Sequence, residues 1–208
     1  MIIMGFGTIS RSKDIQDQLI SKTEENNRIL NTQNEILEVK VIERTSELVA
    51  QTKKTESLML NILPASIADR LKSGEEGISD SYQNATILFS DLVGFTKMSS
   101  GKSPENLVFL LNDLFKRFDI RAQSLGLEKI KTIGDAYMVV GGLPTKDEDH
   151  AVRVTKMALG MYEDLSEFNK EHDMNLDMRI GINSGPVVAG VIGHSKFSYD
   201  LWGNTVNV

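Results

Sequence analysis

From Ser10 to Lys72 the chain holds one proline, Pro64, in an otherwise unbroken run of helix formers. A run of that kind reads as a rod, so the chain must join a rod to a separate globule. Setting Ile20 at heptad position a places Ile20, Asn27, Asn34, Val41, Leu48 and Thr55 at a. Position d then carries Thr23, Leu30, Leu37, Arg44, Gln51 and Leu58. Half of this seam is apolar, and its two asparagines would set register and oligomeric state at a cost in stability. Residues 10–60 are therefore expected to form a long coiled-coil helix; the competing reading is a solvated single helix.

Pro64 suits the first turn of a short new helix, where its missing N–H is not needed. Ile67 and Leu71 share one face of that helix, and "SGEEG" then breaks the chain, so residues 61–81 read as a linking element. Residues 1–9 are apolar but far shorter than the roughly 20 residues of a membrane span. They also lack the pattern of a secretory signal. An apolar end followed by Arg11 and Lys13 is compatible with the cytoplasmic exit of a span that begins upstream. The expectation is a cytoplasmic location, with a membrane anchor before Met1 allowed.

The globule, residues 82–208, mixes two periodicities. "ATILFSD" is a strand. "SPENLVFLLNDLFKRFDIRAQSLG" is a helix with Ser103 as N-cap and Pro104 at its first position. "LEKIKTIGD" and "AYMVVGGLP" are strands around a tight turn at Gly134-Asp135. "DEDHAVRVTKMALGMYEDLSEFNKEH" is a second helix. "MRIGINSGPVVAGVIG" reads as a second hairpin turning at Ser184-Gly185-Pro186, and a third helix is expected to begin in "YDLWGNTVNV". The order predicts an α+β fold, the ferredoxin-like βαββαβ arrangement, incomplete at the C-terminus: an antiparallel sheet with both helices on one face.

Composition narrows the function. A net charge of -6 argues against a nucleic-acid partner. With no cysteine there is no disulfide framework and no thiolate metal site.

Asp91 ends the most apolar strand, and Asp135 sits in the turn between the second and third strands. In this topology the first and third strands are neighbours, so the two carboxylates are expected to meet. Like charges held together raise each other's pKa unless a cation lies between them. An oxygen-only donor set points to a hard ion, Mg²⁺ or Mn²⁺. Gly94 leaves room for backbone N–H groups to approach an anion. Taken singly, each aspartate is better explained as a turn residue; the metal reading gains only when the two are taken together.

The blocks "ILFSDLVGFT", "KIKTIGDAYMVVGGLP", "MRIGINSGPVVAGVIG" and "YDLWGNTVNV", in that order, resemble the class III nucleotidyl cyclase catalytic domain over about Tyr82 to Val208. "NILPASIADRLK" resembles that family's transducer element, and "VIERTSEL" resembles signalling helices that couple sensors to output domains. The resemblance implies that Asp91, Asp135 and the Leu92 carbonyl hold two metal ions. It implies that backbone N–H groups of Gly94, Phe95 and Thr96 meet the triphosphate. Lys131 and Asp200 stand where the family reads the purine, as the adenine-selecting pair; guanylyl cyclases usually carry glutamate and cysteine there. Asn207 would orient the ribose. The implied activity is adenylate cyclase, with ATP as substrate, in a homodimer joined through coiled coil and catalytic domain, below a sensor upstream of Met1. The family carries a transition-state arginine shortly after the Asn207 position, whereas the sequence stops at Val208. A domain cut short, impaired as a homodimer, is therefore expected. The remaining alternatives are a guanylate cyclase and a non-catalytic cyclase-like regulatory module.

Overall fold

The computed structural model describes residues 4–95, 101–193 and 195–207. The chain divides into two compact units, Met1–Leu58 and Met59–Val208. The first unit is helical, within α1 (Met4–Leu60). Every residue from Lys13 to Leu58 is exposed, including the seam residues Ile20, Leu30, Leu37, Val41, Leu48 and Leu58. Among the described residues that seam has no cover, and most helical stability in proteins comes from burying an apolar face. No helix among the described residues is long and apolar enough to cross a membrane.

The second unit runs α2 (Ala65–Lys72), β1 (Ser79–Val93), α3 (Pro104–Ser124), β2 (Glu128–Ile133), β3 (Ala136–Gly141), α4 (His150–Glu171), β4 (Asp177–Ile192) and β5 (Ser198–Trp202). The strands form one antiparallel sheet in the order β2-β3-β1-β4-β5. The first four strands have the expected ferredoxin-like order, with β5 added beside β4. The predicted cap is present: Ser103 Oγ accepts from Asn106 N at 3.3 Å, with Pro104 opening α3. The β2–β3 turn is also as predicted, with Gly134 at φ +63°, a conformation that favours glycine.

Two cores sandwich the sheet. On one face Leu88, Leu92, Tyr137 and Val139 meet Leu114 and Phe118 of α3 and Val154, Met157, Met161 and Phe168 of α4. On the other, Ile87, Met138, Val140, Val187 and Ala189 meet Ile67 and Ala68 of α2 and Tyr199 and Leu201 of β5. β3 alternates between the two cores, which is why "YMVV" is apolar without interruption.

Two expectations are corrected. Ser184-Gly185-Pro186 is not a hairpin turn; β4 runs straight through it. Pro186 lacks an N–H, and the register of β1 shifts opposite it, between Tyr82 and Ala85. The bulge falls where the ladder bond would be missing, so the strand tolerates the proline. "YDLWGNTVNV" opens with strand β5 and then a turn rather than a helix. Tyr199 and Leu201 alternate into the second core, a period of two that the turn residues after them obscured.

Candidate active site

Asp91 lies near the end of β1, whose body is anchored by Leu88 and Leu92 in the first core. Its Cα partners are Ala136 on β3 and Arg179 on β4. Asp135 immediately precedes Ala136 in the β2–β3 turn. The sheet register therefore brings the two aspartates to neighbouring positions, as the topology predicted. Both are partly exposed. Their donors are oxygens, a set that fits a hard divalent ion.

A cation already stands at this edge. Arg179 Nη2 donates to Asp91 Oδ2 at 2.5 Å, with the two side chains 74% and 44% exposed. Sequence reasoning passed over Arg179; only the β1–β4 register singles it out from other strand arginines. Gly94 follows at φ +80°, and a Cβ there would meet nothing within 4 Å. The space above it is open, and conformation rather than crowding calls for glycine. The side chain of Phe95 packs onto the first core. Thr96 lies outside the described residues.

Lys131 and Asp200 form a second cluster. Lys131 Nζ donates to Asp200 Oδ2 at 2.5 Å, and Asp200 Oδ1 accepts from Leu201 N at 2.9 Å. Their strands stand at opposite ends of the strand order, yet they touch. β5 pairs only with Val188–Ile192 of β4, alongside the segment that also pairs with the start of β1. From there Tyr199 and Leu201 enter the second core and Asp200 meets Lys131 of β2. Glu128 belongs to the same neighbourhood. It pairs with Val140 and Lys131 with Met138, and both partners point into the second core. Among the described residues no cation compensates Glu128, and partial burial pushes its carboxyl up to about 7. Asn207 is exposed at the end of the turn after β5, its N–H bonded to Asn204 O at 3.2 Å.

The histidines carried no sequence signal. His150 Nδ1 lies 2.6 Å from Thr86 Oγ1, itself 2.7 Å from Ser184 Oγ. His172 Nε2 contacts Asp113 Oδ2 at 2.9 Å, and these two with Glu171 form a cluster of potential metal ligands. Arg117 already bonds both carboxylates there. His194 lies outside the described residues.

Residues 78–208 match the family described as the adenylate and guanylate cyclase catalytic domain. A membrane guanylyl cyclase of Dictyostelium discoideum is 47% identical over 157 residues, 75% of this chain and 11% of that protein. An adenylate cyclase of Mycobacterium tuberculosis is 44% identical over 160 residues, 76% of this chain and 36% of that protein. The chain thus spans well under half the length of the curated relatives it matches. Among solved structures, the catalytic core of a rhodopsin-guanylyl cyclase with converted specificity, in complex with ATPalphaS, aligns with a TM-score of 0.60 and 40% identity over 63% of this chain and 71% of that one. The adenylyl cyclase CyaB from P. aeruginosa aligns with a TM-score of 0.59 and 28% identity, over 62% of this chain and 70% of that one.

Proposed function

The chain belongs to the family of adenylate and guanylate cyclase catalytic domains, and from that premise we propose that it converts ATP into cyclic AMP and pyrophosphate. The observation that carries the choice of purine is the Lys131–Asp200 contact at 2.5 Å. It presents one donor and one acceptor side by side. Lysine can donate to adenine N1 and aspartate can accept from the 6-amino group. Guanine offers a donor at N1 and an acceptor at O6, so both contacts would fail and leave buried polar groups unpaired.

In the reaction the ribose 3'-hydroxyl oxygen attacks the α-phosphorus, losing its proton, and the bond to pyrophosphate breaks. Asp91, Asp135 and the Leu92 carbonyl would hold two Mg²⁺ or Mn²⁺ ions, which when bound supply acidification of that hydroxyl and neutralisation of the phosphates. The chain's own residues then orient and compensate charge. Arg179 is a cation beside Asp91, within the same edge that would face the phosphates. The segment opened by Gly94 offers backbone N–H groups to them. Asn207 orients the ribose. Phosphoryl-type transfer depends on such positioning more than on covalent help.

The half-sites belong together as a dimer, the metal edge of one copy facing the purine pair of its partner, and the exposed apolar seam of α1 is the second contact. Leu37→Asp on that seam is expected to lower dimer mass and activity together; unchanged values of both would remove the seam from the account. A second reading, guanylate cyclase, is favoured by the 47% identity to a membrane guanylyl cyclase. Incubation with equal ATP and GTP plus Mn²⁺, with both cyclic products measured by mass spectrometry, decides between them. Cyclic AMP in excess, lost in Asp91→Ala, is the expected result. Cyclic GMP in excess overturns the purine assignment.

A further inference from the structure

We propose that Asn183 and Thr205 are positioning residues for Asn207, forming a strap that ties the turn carrying it to β4. The inference deepens the cyclase reading and rests on its assignment of Asn207 to the ribose.

The turn after β5 is bonded back on itself. Val206 N donates to Gly203 O at 3.0 Å and Asn207 N to Asn204 O at 3.2 Å. Two further bonds fasten it to β4, and both pass through Thr205, which is 7% exposed. Its Oγ1 donates to Pro186 O at 2.7 Å, and its carbonyl accepts from Asn183 Nδ2 at 3.1 Å. The Asn183 amide is oriented at its other end, where Oδ1 accepts from Ser184 N at 3.0 Å. Ser184 Oγ in turn lies 2.7 Å from the fully buried Thr86 Oγ1, which contacts His150 Nδ1. The strap is thus rooted in the middle of the sheet and at the start of α4.

The backbone is shaped for this docking. A Cβ on Gly185 would stand 2.7 Å from Thr205 Oγ1, and Gly203 sits at φ +136°. Packing fixes the turn only in part, through Val206 against the second core. The turn borders a cavity of about 130 Å³ lined by Ile87, Phe89, Asn183, Thr205 and Val206 among others. A segment beside a void lacks the dispersion contacts that fix a packed one. Its place is set by the two hydrogen bonds together with the Val206 contact, and Asn207 directly follows. Displacement of a substrate-orienting group by about 1 Å is enough to cost up to about a hundredfold in rate.

The test uses the full chain. Thr205→Val keeps the shape and removes the Oγ–H donor; Thr205→Ser keeps the donor. Thr205→Val is expected to lower kcat about tenfold with KM changed less than about twofold, and Thr205→Ser to restore turnover. If the strap acts through Asn207, Thr205→Val costs nothing further in an Asn207→Ala background. Independent, multiplying losses would overturn the positioning role. Amide hydrogen exchange supplies a readout free of activity. The Val206 and Asn207 amides should exchange at least about tenfold faster in Thr205→Val than in Thr205→Ser. Unchanged exchange overturns the strap whatever the kinetics. Should Asn207→Ala leave turnover intact while exchange responds, the cyclase assignment of Asn207 falls and the strap stands as a structural tie.

Discussion

Arg179–Asp91 and Lys131–Asp200 are ion pairs of the same length, 2.5 Å, in different surroundings. The first lies open to water, its side chains 74% and 44% exposed. The second is more enclosed, at 37% and 20%, and links β2 to β5. A pair in water contributes little to stability and exchanges partners freely. That suits an edge meant to take up metal and phosphate. An enclosed pair has fewer alternative partners, so its donor and acceptor stay aimed for a rigid base. Glu128, on the same face as Lys131, shows the cost of partial burial with no cation against it among the described residues: its carboxyl is pushed up to about 7.

The comparison can be broken in four places. Asp91→Asn should lower cyclic nucleotide production at least about a hundredfold. Its melting temperature should move by less than about 2 °C, because an exposed pair is worth about 1 kcal/mol at most. A large loss of stability would mean that the open pair is a structural one. Lys131→Glu should lower kcat/KM for ATP by about a hundredfold, since it leaves adenine N1 facing an acceptor. Equal loss with GTP would deny the pair its role in base choice.

Glu128→Gln probes the enclosed side by pH. Burial pushes the folded carboxyl up to about 7, whereas the unfolded one keeps the ordinary glutamate value of 4.5. Between these values the unfolded chain has released a proton that the folded chain still holds, so wild-type stability falls as pH rises through that window. Glu128→Gln should melt like wild type near pH 4 and about 5 °C higher above pH 7, a gain of about 2 kcal/mol. A constant difference at all pH values would place Glu128 in water. The smallest effect is expected from Arg179→Ala, a shift of less than about 1 °C in thermal melts at low and high salt.

Much of the fold was legible because local rules and tertiary structure agree. Ser103-Pro104 caps α3 where the sequence placed the cap, and Gly134-Asp135 turns β2 into β3. The failures came where a local signal was overridden. Pro186 reads as a breaker, but a bulge in the neighbouring strand absorbs it. "YDLW" reads as a prelude to a helix, but alternate burial of Tyr199 and Leu201 makes it a strand. In the site, Asp91 and Asp135 could be paired by topology alone. Arg179, Asn183 and Thr205 could not. Their significance lies in a cross-strand register and a docked turn, neither of which leaves a pattern along the chain.

By itself, then, the sequence determined the long N-terminal helix, the order of elements as far as the start of β4, and the carboxylates brought together at the end of the first strand. Those follow from periodicity, caps and turns, which act over a few residues. Tertiary structure alone decided that β5 brings Asp200 to Lys131, that Arg179 pairs with Asp91, and that Glu128 is partly buried with no cation against it among the described residues. Those outcomes depend on how a long, bent pair of strands packs two cores at once, a balance of burial and hydrogen bonding between residues far apart in the chain.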